Sequence, residues 1–354
     1  LLPQTPVLVT YFSPSAKKII QNFPGIDAVV PLPWDTRQKI NNFLTHFQPR
    51  AALFARTDVW PEVAYQLSKK KIPSALFAAT LADNSRRKGL LSGALNRWAL
   101  NHINQIFCCS AEDEINFRRL GVLTKIETQG DTRYDQVIYR LKHSENLKAE
   151  FVPLAKDLIF VAGSTWPEDE KVLAATLSES YKKNWRWIWA PHEISESHLQ
   201  ELEALISKQG LSSTRYTKTN SWNPSQVLII DKIGILPEIY AWGNLAFVGG
   251  SFKDKVHSVM EPLAAGIPVL VGPRHENNRE ALLFQKIILK PQFPSVQIIN
   301  APEDLNRLFY ELSSAAFQQD FFKNLQDFLK SKVVQLSGSS KKMAKWVETH
   351  REKH

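Results

Sequence analysis

Residues 247–273 read FVGGSFKDKVHSVMEPLAAGIPVLVGP. The apolar run 244–248 (NLAFV) that leads into it reads as a strand buried on both faces, and 268–272 (PVLVG) reads as a second one. Gly249, Gly250 and Ser251 stand at the carboxyl end of the first strand. Glycine there lets backbone come close to a ligand in conformations closed to other residues. The segment 257–265 is expected to be helical, starting near His257 and ending at Gly266-Ile267-Pro268. A helix start offers free N–H groups and a partial positive charge, which suits a phosphate, and Lys253, Lys255 and His257 would add charge. Glu261 lies four residues after His257, about one helical turn, where a carboxylate can accept hydrogen bonds from ribose hydroxyls. Pro262 costs stability inside a helix unless it falls in the first turn. Asn277 and Asn278, after Gly272-Pro273, offer further polar contacts. The stretch therefore reads as a nucleotide-phosphate cradle and a ribose clamp between two strands, although a glycine pair by itself would serve a plain turn equally well.

The same alternation extends in both directions. Further strands are expected at 7–12, 51–55, 74–78, 105–109 and 124–128, then at 158–162, 186–190 and 227–231. Amphipathic segments lie between them at 60–70, 91–103, 111–119, 168–181 and 193–208, and strand–helix alternation of this kind predicts doubly wound α/β sheets. A polar stretch over 131–157 separates the two strand sets, which places a domain boundary near 150. Residues 302–350 have helical periodicity, interrupted at 335–340 (QLSGSS). Ligands of such sheets sit beyond the carboxyl ends of the strands.

The 354 residues, 44% hydrophobic and 22% charged, suit two soluble globular domains. No run approaches the roughly 18 apolar residues of a membrane span. No signal peptide is visible. The sequence starts at Leu1 without a methionine and 7–12 already reads as a strand, so an upstream part is expected to be missing. A net charge of +9 favours an anionic partner, whether phosphorylated substrate or lipid surface, while the scattered charges do not resemble a nucleic-acid tail. The two cysteines, Cys108 and Cys109, are neighbours on a strand, point to opposite faces and suggest no disulfide. No Asp-x-Asp, His-Glu-x-x-His or Cys-x-x-Cys pattern calls for a metal, and no phosphate loop or nucleophile elbow is present.

Ser164 and Thr165 end a strand and precede a helix, a second place for an anion, or simply a helix cap. Asp58 follows the strand 51–55, where cleft residues of such sheets collect, or caps the helix beginning at Trp60. His198 is expected to be a solvated surface residue, and Trp60 and Trp166 packing residues. Arg133 and Asp135 would bridge domains or form a surface pair, and Arg86-Arg87-Lys88 is a solvated loop or a contact for lipid phosphates.

With these residues in place, the sequence resembles the 3-deoxy-D-manno-octulosonic acid (Kdo) transferases of lipopolysaccharide synthesis. The resemblance is carried by the 247–273 stretch, by 8–14 (LVTYFSP), 57–61 (TDVWP), 130–135 (GDTRYD), 162–166 (AGSTW) and 190–193 (APHE). It implies two Rossmann-like domains of the GT-B glycosyltransferase type with a helical C-terminal tail. Residues 1–150 would bind the acceptor, with Asp58 as an acceptor-side carboxylate. Residues 151–354 would bind CMP-Kdo through Ser164, Thr165, His192, Gly249, Gly250, Ser251, His257, Glu261 and Asn277, with the last helices packing back on the first domain. It implies inverting transfer of Kdo to a lipid A precursor (lipid IVA), without metal or cofactor, at the cytoplasmic face of the bacterial inner membrane. Partners would be the donor, the acceptor and the anionic membrane surface, not nucleic acid. Two departures matter. The family's Ser-x-Gly-Glu base and its N-terminal anchor are not found here and are expected upstream of Leu1, which would leave this chain without its main base and inactive. Asp58 replaces the family's usual Glu, and His192 stands where many members carry Arg. A nucleotide-sugar epimerase on the same fold is the competing reading, and a non-catalytic lipid-binding module a third.

Overall fold

The computed structural model describes residues 5–351 apart from 14, 15, 18, 19, 21, 22, 84, 144–146, 148–150, 152–156, 223, 224, 291, 292 and 315–318. Two compact units are formed, one from Leu1–Asp135 with Leu336–His354, the other from Gln136–Gln335. The helix Thr132–Lys142 contains the division. Near the boundary read at 150, only Leu147, Phe151 and Asp157 are described between 144 and 157.

In the first unit β1 (Leu8–Tyr11) and β2 (Ala28–Pro31) form a parallel pair. A four-stranded parallel sheet follows in chain order, from β3 (Ala52–Ala55), β4 (Ser74–Ala79), β5 (Gln105–Cys108) and β6 (Lys125–Thr128). Alternation along β4 and β5 gives each face its own core. Leu76 and Ile106 join Ile40, Leu44, Leu67 and Phe117 in one cluster. Their neighbours Ala75 and Phe107 meet Met343, Trp346 and Val347 from the helix Ser339–Arg351. The returning chain is pinned by polar contacts. The carboxylate of Asp135 accepts from the N–H groups of Gly338 (2.7 Å) and Ser340 (2.9 Å), and the Ser339 hydroxyl donates to the Gln129 carbonyl at 2.8 Å. Gly130, at φ +99°, would bring a Cβ within 2.7 Å of that hydroxyl. Arg133 closes on its neighbour Asp131, at 2.6 and 2.9 Å. Burial pushes the Asp131 carboxyl up, but the Arg133 bonds and charge outweigh it and hold the group below its ordinary value.

The second unit is built on a seven-stranded parallel sheet. Its strands are β7 (Leu158–Thr165), β8 (Trp185–Pro191), β9 (Ser213–Arg215), β10 (Val227–Ile229), β11 (Leu245–Val248) and β12 (Val269–Val271). The short antiparallel ladder of β13 (Ile288–Lys290) with β14 (Phe293–Pro294) precedes the seventh strand, β15 (Val296–Ile298). The order is β15-β12-β11-β7-β8-β10-β9. From β7 the chain steps to β8 and to the edge strand β9, returns to place β10 between them, and then crosses to β11, β12 and β15 on the other side of β7; the reversal lies between β7 and β11, where Gly163 is in register with Val248. A crevice at the carboxyl ends of such a pair is where doubly wound sheets take ligands. The two loops that leave there are Ser164–Trp166 and Gly249–Ser251.

The α/β class and the helical C-terminal segment agree with the strand–helix alternation of the sequence. Two helices differ from their sequence reading. The segment 168–181 is two helices, Pro167–Ala174 and Leu177–Lys182. The helix expected from His257 begins at Met260 and ends at Ala265. Pro262 sets that start, because proline is tolerated only where its missing N–H would have no partner, in the first turn. Among the described residues no helix is long and apolar enough to cross a membrane.

Candidate functional site

At the switch point the two loops lock together through a side chain that sequence reasoning passed over. Asp169, fully buried in the first turn of the helix Pro167–Ala174, accepts from the backbone N–H groups of Gly250 (2.7 Å), Phe252 (3.1 Å) and Trp166 (2.9 Å). Burial raises its carboxyl and the three N–H groups oppose that rise. An acidic residue three positions after the helix cap was a legible signal for capping. Its hold on Gly250 and Phe252, more than eighty residues on, was not.

The glycines are required by contact. A Cβ on Gly249 would stand 2.2 Å from the Ser164 carbonyl oxygen, and one on Gly250 (φ +98°) would stand 2.3 Å from that of Lys255. Ser164 itself is held in the left-handed region at φ 54°, a strained conformation of the kind that collects at ligand sites. Thr165 is buried. Its hydroxyl accepts from Trp189 Nε1 at 3.0 Å and donates to Glu170 at 3.0 Å, so it orders the loop from below. Neither Ser164 nor Thr165 caps the following helix with its side chain; Asp169 does so by accepting from the Trp166 N–H. Ser251 is likewise buried, its Oγ accepting from the Gly272 N–H at 2.6 Å.

Three rings stand over this floor. His192, at the end of β8, stacks on Trp166 with centroids 4.4 Å apart and on His257 at 4.7 Å, the planes 26° and 14° from parallel. Trp166 Nε1 donates to His257 Nε2 at 2.9 Å, and Lys253 Nζ lies 3.8 Å from the centre of the Trp166 ring. Trp166, read from sequence as packing, thus links both candidate histidines. Burial lowers the His257 pKa, and the neighbouring His192 and Lys255 lower it further. Asn278 donates to the His257 carbonyl at 2.8 Å and caps the helix Arg279–Gln285, while Asn277 donates to Val256 O at 3.4 Å.

The structure thus brings Ser164, Thr165, His192, Gly249, Gly250, Ser251, His257 and Asn277 together around one pair of loops. Glu261 lies in the first turn of the helix Met260–Ala265, with Arg140 Nη1 at 3.3 Å and the same guanidinium donating to Gly234 O at 3.0 Å. Burial raises the Glu261 carboxyl; Arg140 opposes the rise and Glu238 adds to it. His198, expected at the surface, is buried. Its Nε2 lies 3.1 Å from the buried carboxylate of Glu170, a partner that no sequence spacing announces. Among the described residues no three of His, Cys, Asp and Glu group as metal ligands would.

Asp58 lies in the other unit. It is exposed just beyond β3, and among the described residues no hydrogen bond or ion pair engages its carboxylate. The cap it was expected to give the helix Pro61–Lys69 comes from Asp35, which accepts from the N–H groups of Glu62 (3.0 Å) and Val63 (3.1 Å). Near it in sequence, Trp60 meets Phe12 at 4.8 Å, and Phe12 meets the 65% exposed Trp34 at 5.5 Å. In the basic turn Arg86–Lys88, Arg87 donates to the Thr57 carbonyl and Lys88 to Asp83 and Asn116, while Arg86 is exposed. The helix Leu90–Leu100 that follows shows Leu91, Leu95 and Trp98 to solvent along one face, at 90%, 54% and 41% exposure.

Residues 1–136 match a family model described as 3-deoxy-D-manno-octulosonic-acid transferase (kdotransferase). A 3-deoxy-D-manno-octulosonic acid transferase of Chlamydophila psittaci is 28% identical over 260 residues, which is 70% of this chain. The chain spans 58% of that relative's length. The transferase of the same description from Haemophilus influenzae is 27% identical over 304 residues, 81% of this chain and 67% of the relative. Among solved structures, a UDP-GlcNAc 2-epimerase from Neisseria meningitidis bound to UDP-GlcNAc has a TM-score of 0.61 at 13% identity, over 94% of this chain and 90% of that one, a likeness of fold alone.

Proposed function

We propose that this chain, a relative of the Kdo transferases, is itself a glycosyltransferase that moves Kdo from CMP-Kdo to a lipid A precursor (lipid IVA) with inversion at the anomeric carbon. The observation that carries the reading is the pair of loops at the switch point, fixed by Asp169 beneath the His192–Trp166–His257 stack. A cradle of glycine backbone with Lys253 and Lys255 at its rim suits the anionic groups of a nucleotide sugar.

In this proposal Gly249 and Gly250 admit the phosphate close to backbone. His192, His257, Ser164 and Asn277 contact the donor, and Thr165 and Ser251 hold the loops beneath it. Glu261 accepts from the ribose hydroxyls once Arg140 yields. The acceptor oxygen attacks the anomeric carbon while the bond to the phosphate oxygen breaks. The phosphate departs with the electron pair into the positive field of the loops, and the acceptor's proton goes to a base. Asp58 is proposed as an acceptor-side carboxylate, not as that base. No step draws on a metal or cofactor. The exposed Leu91, Leu95 and Trp98 beside Arg86 fit the anionic face of a membrane, and so the cytoplasmic face of the inner membrane is the proposed location.

The test is calorimetric titration of the chain with CMP and, separately, UMP, repeated for Glu261→Ala. Binding of CMP in preference to UMP, lost in the variant, supports the donor reading. Preference for UMP turns the assignment toward the epimerases. Binding of neither by a folded chain removes the cradle.

A further inference from the structure

We propose that Trp166 is a positioning residue that fixes the tautomer of His257, so that the ring stays neutral with its proton on Nδ1 and offers that N–H to the anionic group of the ligand. This rests on the donor reading above and adds to it a rule for how the histidine acts.

The argument begins with what an indole can do. Trp Nε1–H is a donor with no accepting capacity. It lies 2.9 Å from His257 Nε2, so that nitrogen must be the acceptor and carry no proton. A neutral imidazole with a bare Nε2 holds its proton on Nδ1. Among the described residues nothing hydrogen-bonds to His257 Nδ1. The Cδ2 edge of the ring faces Gly250, which leaves the Nδ1 edge turned away from the loop floor. Protonating Nε2 would set two N–H groups against each other across 2.9 Å, so the indole must leave before the ring can become a cation.

The surroundings push the same way. The charged and titratable groups acting on His257 are His192, stacked at 4.7 Å from the end of β8, and Lys255 on its own loop. Lys253 sits over the far ring of the ladder, Trp166. Asp169, on the helix packed against the loop, has its carboxylate engaged by three backbone N–H groups. An imidazolium here would stand beside Lys255, while the Asp169 carboxylate is already engaged by backbone N–H groups. A neutral ring avoids that and still provides one N–H donor. Such a donor keeps working above the pH at which an ordinary histidine loses its charge, about 6.5. The site thereby separates its two tasks: lysines supply charge and His257 supplies direction.

The test is nitrogen NMR of the full chain labelled at histidine, read from about pH 6 to about pH 8, with the His257 signals assigned by their loss in His257→Asn. The expected result in the unmodified chain is the Nδ1–H form throughout, with Nδ1 shifting when CMP is added. In Trp166→Phe, which keeps a stacked ring and removes the N–H, the Nε2–H form should appear and the titration midpoint should move up toward its ordinary value. A merely structural role for Trp166 would leave the tautomer where it was. An Nε2–H ring in the unmodified chain overturns the inference, and if Trp166→Phe fails to fold this spectrum decides alone. A tautomer that Trp166→Phe leaves unchanged overturns the part given to Trp166. If CMP moves no histidine while the Nδ1–H form is present, it is the donor reading that falls, and with it the proposed use of that N–H.

Discussion

Glu261 holds its proton more tightly than an ordinary carboxyl because the helix buries it and Glu238 adds negative charge, with Arg140 only partly offsetting both. The sign of the consequence follows. A carboxyl raised on folding contributes stability at low pH, and that contribution is lost as pH rises from the ordinary value through the raised one. Ionised Glu261 is therefore a cost near neutrality, which Glu261→Gln removes. The variant is expected to melt about 1–3 °C higher near pH 7 and to lose this gain below the ordinary carboxyl range, as thermal scans against pH will read. It is expected at the same time to bind CMP more weakly. Gly250 gives the opposite case. Gly250→Ala must place a Cβ 2.3 Å from the Lys255 carbonyl at a φ of +98°, so a loss of about 1–3 kcal/mol in chemical denaturation, and of CMP binding with it, is expected. At this scale the sequence was informative about backbone and silent about partners. Gly249 and Gly250 suggested a close approach only in company with the strand before them and the basic residues and helix after them, since a glycine pair alone serves a plain turn as well. His198 was misread because its exposure depended on Glu170, whose own burial depended on Thr165 and Trp189.

Among the elements, the loop Gly249–Ser251 owes its shape to the helix Pro167–Ala174, through Asp169. Removing that carboxylate in Asp169→Ala leaves three backbone N–H groups unpaired in a buried place. A loss of about 2–4 kcal/mol is expected by denaturant titration, with the stacking of His192 on His257 loosened as well. The strands around this loop were legible because they are buried on both faces, so β7, β8 and β11 read as nearly unbroken apolar runs. Short or half-exposed strands carry no such signature. β2 (AVVP) and β9 (STR) were missed for that reason, and the ladder of β13 with β14 is too brief to show a period. The helix before Gly266 was overextended because apolar spacing continued upstream of a proline that fixes the start.

In the whole molecule the chain crosses from the first unit to the second once and comes back once, at Asp135 and Leu336. The return is sealed by Trp346, Met343 and Val347 on Ala75 and Phe107. Trp346→Ala is expected to cost the first unit about 3–5 kcal/mol while the second keeps its stability. A calorimetric scan would show one transition moving down and the other staying. The sequence places a domain boundary near 150 by its polar stretch 131–157, whereas the division between the compact units falls within the helix Thr132–Lys142, where helical spacing is continuous and gives no signal. The closing helix also has a consequence in time. During synthesis the sheet β3–β6 emerges first, yet the helix that covers Ala75 and Phe107 follows only after Gln136–Gln335 has been made. At about 5–20 residues per second that is a wait of roughly 10–40 s, in which an apolar sheet face stands uncovered at the ribosome while the later unit can already be complete. The half of the protein made first is thus the half finished last, and the newborn chain depends on whatever shields that face in the interval.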